Sequence, residues 1–95
     1  MNKNDFPSAC KVLLGSTNAS GATYNALASE PCTYVNINNE SSTTLQIRRL
    51  GDTNTVLVPP LAEHKVFGIT NANQIEYRRA DVSNTVVTFS AEAYN

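Results

Sequence analysis

The chain has 95 residues, of which 16% are charged, and its formal net charge at pH 7 is −1. This length predicts one domain, since single cores usually organise about 50 to 200 residues. The low net charge argues against nucleic-acid binding, which draws most of its affinity from neutralised phosphates. No stretch approaches the roughly 20 apolar residues of a membrane-spanning helix, so we expect no membrane partner. The polar residues 1–7 lack the apolar run of a secretory signal, which predicts a cytosolic or already processed chain.

The first third of the chain is weakly patterned. One short apolar run, residues 11–14, precedes the Ser-, Thr-, Asn- and Gly-rich residues 15–21, which are typical of a loop. Residues 22–30 have the composition of a single helical turn, which Pro31 would stop. We therefore assign residues 1–32 to an extended N-terminal arm and an irregular segment.

From Thr33 onward, apolar and polar residues alternate with the period of a half-buried strand. Strands are predicted around residues 33–38, 44–48, 56–58, 66–69, 75–77 and 87–93, with Gly-, Asn-, Asp- and Pro-containing turns between them. Short strands with frequent turns and no long amphipathic helix are typical of a β-sandwich. The prediction is an all-β fold, a small antiparallel β-sandwich of about six to seven strands formed by residues 33–95.

A segment of the chain is repeated. Residues 47–56 (IRRLGDTNTV) return at residues 77–86 (YRRADVSNTV), displaced by 78 − 48 = 30 positions. Each copy has a strand ending in two arginines, a polar turn, and Asn-Thr-Val opening a return strand. Each copy therefore predicts a hairpin, and the two hairpins are expected to be related by a pseudo-twofold axis.

The two arginine pairs of this repeat invite a ligand-binding interpretation, because arginine can clamp a carboxylate or phosphate. Adjacent residues in a strand point to opposite faces, however, so neither pair can close on one ligand. We expect one arginine of each pair to be solvated and the other to bridge a carboxylate near the turn (Asp52, Glu76 or Asp81) or to dock on a neighbouring subunit.

No catalytic or metal-binding motif stands out. His64 is the only histidine and falls in a predicted loop, with no local nucleophile signature in the chain. A small sandwich offers little cleft for a carboxylate pair, and no glycine-rich loop opens a helix. Cys10 and Cys32 are too few for a zinc site and are either reduced and partly buried or joined in a bridge. We expect no enzymatic activity, no cofactor and no metal.

Three stretches carry a resemblance to a known family: GITNANQIEYRRAD at residues 68–81, SNTVVT at residues 83–88 and VNINN at residues 35–39. They resemble small virion structural proteins of tailed bacteriophages, and the similarity covers roughly residues 33–94. The resemblance implies a non-enzymatic component of the virion, assembled in the host cytoplasm, and in particular a capsid decoration (cement) protein. The implied partners are the major capsid protein or other virion proteins, with further copies of the chain in a homo-oligomer.

An uncharged sandwich with a loose arm suits a lattice, where an arm orders on binding. In this hypothesis the first 21 residues reach along the shell, and their apolar run adds to a sheet edge. The candidate interface consists of the apolar run and the paired arginines: Lys11, Val12, Leu13, Leu14, Arg48, Arg49, Arg78 and Arg79.

Two alternative functions stay open. One is a head-fibre or tail-associated receptor- or carbohydrate-binding module using exposed Asn, Thr and Tyr; the other is a neck or tail connector that assembles into rings.

Overall fold

The structure, a computed structural model, describes residues 11–17, 23–80 and 86–95. In these ranges the strands are β1 (Lys11–Ser16), β2 (Asn25–Ala26), β3 (Tyr34–Asn39), β4 (Leu45–Arg49), β5 (Val56–Val58), β6 (Glu63–Phe67), β7 (Ile75–Arg79) and β8 (Thr88–Tyr94). They form two four-stranded sheets, the first in the order β1-β8-β3-β6 and the second in the order β2-β7-β4-β5. Every pairing is antiparallel. The all-β, two-sheet fold predicted from strand periodicity is confirmed.

The two sheets pack face to face over the apolar phase of their strands, because that phase loses its contact with water only when another sheet covers it. Tyr77 of the second sheet meets Phe89 of the first edge to face, with ring centroids 4.7 Å apart. The core lies between the sheets and includes Val35, Ile37, Leu45, Ile47, Val58, Ile75, Val87, Phe89, Ala91 and Ala93.

Asn39, at the end of β3, holds two turns together from a buried position with 1% of its surface exposed. Its Nδ2 donates to the carbonyl oxygens of Thr43 at 2.8 Å and Val58 at 2.9 Å. Its Oδ1 accepts from the backbone N–H and the hydroxyl of Ser41, at 3.1 and 2.8 Å. Asn39 therefore fixes the β3–β4 turn against the end of β5.

Residues 11–16 form an edge strand of the first sheet. β1 pairs with β8 along its whole length, from Lys11 opposite Ala93 to Ser16 opposite Thr88. The pairing is favourable because Leu13 and Gly15 lie on the core-facing phase, opposite buried residues of β8. The described part of the predicted arm thus belongs to the sheet, and residues 1–10 and 18–22 lie outside the described residues.

The helical turn predicted for residues 22–30 is wrong, since residues 23–30 contain β2 and no helix. Tertiary pairing overrides the weak local preference. β2 pairs with β7, and the backbone N–H of Leu27 then donates to the carbonyl of Ile75 at 3.1 Å. These contacts bury Leu27 in the core.

The strand predicted around residues 66–69 is shifted. β6 begins at Glu63 and ends at Phe67, because Gly68 takes a left-handed conformation with φ +77°. His64 therefore lies in a strand and not in a loop. The only helix within the described ranges is the 3-10 turn Ala72–Gln74, capped by Asn71. No helix in those ranges is long and apolar enough to cross a membrane.

Candidate functional site

The edge strand β1 presents apolar side chains to solvent. Val12 and Leu14 lie on the outer face of the first sheet, with 58% and 84% of their surface exposed. In the described part of the chain β1 pairs only with β8, so its second edge carries open backbone hydrogen-bonding groups. Natural edge strands are usually protected by proline, bulges or inward-pointing charge. Of these protective features β1 has only the charge of Lys11, at its first position. It is therefore more prone to pair with a further strand than β6, the other long edge strand.

A row of stacked aromatic rings crosses the same outer face. Tyr34 of β3 is paired with Tyr94 of β8 and with Phe67 of β6. Its ring lies 4.8 Å from that of Tyr94 and 5.2 Å from that of Phe67, with interplanar angles of 12° and 29°. Both faces of Tyr34 are thus covered by its neighbours, so this ring does not offer a flat platform on which a sugar could stack.

Amides and carboxylates fill the centre of the outer face. Nδ2 of Asn36 donates to Oε1 of Glu92 at 3.0 Å and to Oε1 of Glu63 at 3.3 Å. Nδ2 of Asn38 donates to the same oxygen of Glu92 at 3.3 Å. Of these two carboxylates, Glu92 lies next to the apolar edge strand β1, opposite Val12, whereas Glu63 lies on β6 at the other edge of the sheet.

The paired arginines point to opposite faces of the second sheet, as predicted. Arg48 and Arg78 lie half-buried on its outer face, whereas Arg79 is core-facing with 1% of its surface exposed. Arg49 takes the core-facing phase at the end of β4 and donates to the backbone carbonyls of Phe67 and Gly68. Arg49 thereby links the two sheets.

The repeat places the two arginines of the outer face around one axis. Ile47 pairs with Tyr77, its own counterpart in the repeat, so the pseudo-twofold axis passes between these residues. Around it, Nε of Arg48 bonds Oε1 of Glu76 at 2.7 Å, an ion pair of the kind predicted. The equivalent Nε of Arg78 bonds Oε1 of Gln46 at 2.8 Å.

The ring of Tyr24 lies against the guanidinium groups of both Arg48 and Arg78. The guanidinium carbons of Arg48 and Arg78 lie 3.8 and 4.4 Å from its ring centroid, within range of cation–π attraction. Both arginines are therefore engaged within the molecule. The sequence signal for this cluster was the repeat itself, whereas nothing in the sequence pointed to Tyr24.

The second hairpin predicted by the repeat is wrong. β7 and β8 lie in different sheets, and the intervening residues 81–85 lie outside the described residues. The chain crosses to the first sheet because Val87 and Phe89 are buried there. Val87 also exchanges hydrogen bonds with Thr17, whose hydroxyl accepts from its N–H at 2.9 Å.

The candidate interface residues consequently separate into two places. Lys11, Val12, Leu13 and Leu14 lie together on β1 of the first sheet, and the four arginines belong to the second sheet. Only the β1 residues combine exposure, apolar character and an open strand edge. The structure does not bring the two sets into one surface.

A cleft of about 310 Å³ opens between the sheets, although the sequence predicted little cleft in so small a sandwich. His64 and Asp52 line it, and Asp52 is its single carboxylate. Within the described ranges, no three His, Cys, Asp or Glu side chains are grouped closely enough to hold a metal ion.

Cys32 is a buried, free thiol. Burial raises the pKa of the Cys32 thiol, and the negative charge of Glu30 raises it further, because both disfavour the thiolate. Its predicted alternative partner, Cys10, lies outside the described residues. The environment of Cys32 is that of a packing residue.

Fold and site together define a small all-β protein of two antiparallel four-stranded sheets, with an apolar strand edge on the first sheet. No protein-family model matches the chain, and no curated protein matches it.

Proposed function

We propose that this protein is a non-enzymatic virion structural protein of a tailed bacteriophage, a capsid decoration protein that binds its shell through β1. The observation that carries the proposal is the open, apolar edge of β1, with Val12 and Leu14 exposed beside it. The partner is the major capsid protein or another virion protein, and further copies of the chain join it as a homo-oligomer. The protein then works in the virion.

Strand addition explains how such an edge binds. A strand of the shell protein pairs with the free backbone groups of β1, and the outward side chains pack against its apolar residues. Fully burying a Val or Leu side chain contributes about 1.5 to 3 kcal/mol, so covering the exposed parts of Val12 and Leu14 contributes about 2 to 4 kcal/mol in all. A shell repeats the same binding site many times, and an oligomer of the chain that is bound at one site is held near the next ones. Several weak contacts can therefore add up to tight binding.

The test measures binding to shells that lack the protein. We expect the purified chain to saturate such shells at a fixed ratio, measured by size-exclusion chromatography with light scattering. Leu14→Lys should weaken binding by about tenfold or more, because the added ammonium group cannot be buried in the interface. The matched control is Leu57→Lys, since Leu57 is an exposed strand leucine on the second sheet. Absence of saturable binding, or equal binding by both variants, would contradict the proposal.

A further inference from the structure

The cleft between the sheets continues the hydrophobic core to the surface. It opens where β5 and β6 are the edge strands. Its floor is formed by the buried side chains of Ile47 and Ile75, and its walls include Val56 and Val66. Val56 is core-facing, because it pairs with Ile47, yet 39% of its surface is exposed. The volume of about 310 Å³ is at the lower end for ligand sites, so it suits one large apolar side chain.

One wall of the cleft is the backbone of β6. His64, Lys65, Val66 and Phe67 all line the cleft, although consecutive side chains of a strand point to opposite faces. Consecutive residues can line one cleft only when the strand edge itself faces it. In the described part of the chain β6 pairs only with β3. An extended segment can therefore hydrogen-bond to β6 while it lies in the cleft.

The mouth of the cleft carries the positive charge of Arg49, and Asp52 is the single carboxylate of the lining. Arg49 takes the core-facing phase of β4, opposite Ile75. Arg49 forms no salt bridge within the described ranges; its acceptors are neutral backbone carbonyls, one of them that of Gly68 at 3.3 Å. Neutral acceptors leave the guanidinium charge uncompensated, so a carboxylate arriving beside it is attracted.

We propose that this cleft binds an extended peptide segment of a partner protein, with an apolar residue and an acidic residue two positions apart. The segment adds to the free edge of β6. Residues two apart in a strand point to the same face, so the apolar side chain enters between Val56 and Val66 while the acidic one, placed towards Gly68, reaches Arg49. The site lies at the opposite edge of the first sheet from β1 and does not depend on shell binding.

Calorimetric titration with the peptide acetyl-Thr-Thr-Phe-Thr-Glu-Thr-amide tests the inference on the full chain. We expect saturable binding that weakens by about tenfold when the peptide's Glu is replaced by Gln, the effect of losing one charge-assisted hydrogen bond. Val56→Phe should fill the cleft and weaken binding by more than tenfold. The matched control, Leu57→Phe, adds the same group to the neighbouring residue, which faces away from the core, and should leave affinity within about twofold.

A second readout needs no variant. Strand addition should slow hydrogen exchange of the β6 backbone amides that face the cleft, because they become hydrogen-bonded. Absence of saturable binding at millimolar peptide, or unchanged binding by a folded Val56→Phe chain, would overturn the inference. Equally tight binding of free 3-phenylpropionate, without protection of β6, would also overturn it, since the peptide backbone would then contribute nothing.

Discussion

Replacing Gly15 with alanine tests whether β1 is packed into the first sheet. Gly15 lies opposite Phe89 in the β1–β8 pair. A Cβ atom at Gly15 would lie 2.2 Å from Cζ and 2.5 Å from Cε1 of the Phe89 ring. That ring is buried and held by Tyr77, whose ring centroid is 4.7 Å away. Neither partner can move without disturbing the core, so the added methyl group must strain it.

Two opposing effects set the change in the free energy of unfolding that we expect for Gly15→Ala. Overpacking a core costs about 1 to 3 kcal/mol, whereas Gly→Ala stabilises by about 0.4 to 1 kcal/mol where the backbone tolerates it, by restricting the unfolded chain. The net loss for Gly15→Ala is about 1 to 2 kcal/mol, which lowers the Tm of a domain of this size by about 5 to 15 °C. In an arm detached from the sheet neither effect would operate, because the residue would be equally unrestricted in the folded and the unfolded chain, and Tm would stay level.

Thermal and urea unfolding, followed by circular dichroism, measure this difference. The control is a double-mutant cycle with Phe89→Leu, because the shorter side chain leaves room for the new methyl group. Gly15→Ala should cost clearly less in the Phe89→Leu chain than in the unsubstituted one. A neutral or stabilising Gly15→Ala, with no coupling to Phe89, would refute the packing of β1.

Three further predictions concern buried polar groups. The Tyr24 hydroxyl is buried and has no hydrogen-bond partner among the described residues, so Tyr24→Phe should leave the urea midpoint level or higher, whereas Tyr24→Leu should cost about 0.5 to 2 kcal/mol of cation–π attraction; equal losses would contradict this. Asn39→Ala should cost about 2 to 4 kcal/mol in urea unfolding, because it leaves buried carbonyls unpaired, and a loss below about 1 kcal/mol would argue against that. The raised pKa of Cys32 predicts, in a Cys10→Ser chain, slower iodoacetamide labelling of native than of unfolded protein at pH 8. Because the folded state holds that thiol proton more tightly, stability should also fall as pH rises past the ordinary thiol pKa.

Periodicity predicted those strands that bury one face and expose the other. β4, for example, spans Leu45–Arg49, where residues 44–48 were predicted, because its buried residues alternate with polar ones. β6 was misplaced because its first half, Glu63-His64-Lys65, carries no apolar alternation. An edge strand beside an open cleft needs little apolar surface, so the sequence there lacks the usual signal.

Strand partners were harder to predict than strands. The repeat predicted two hairpins related by a pseudo-twofold axis, but in the structure that relation is confined to the paired strands β4 and β7. Local sequence does not say that the two copies pair with each other through Ile47 and Tyr77. The return segment of the second copy joins another sheet, because burial of Val87 and Phe89 outweighs the local hairpin signal. The cleft was missed for the same reason, since it arises only where edges of different sheets meet.

β1 and β6 are the two opposite edges of the first sheet. The edges of the second sheet are short: β2 has two residues, and β5 has three and is followed by Pro59-Pro60, which protects it from pairing. β1 and β6 have six and five residues and lie about 14 Å apart across the sheet, since neighbouring strands are about 4.8 Å apart. A chain that pairs at both edges joins two partners through a single sheet. Blocking either edge alone would then leave a protein that still binds one partner but no longer links two. Under the proposed function, linking two partners is what a cement protein must do.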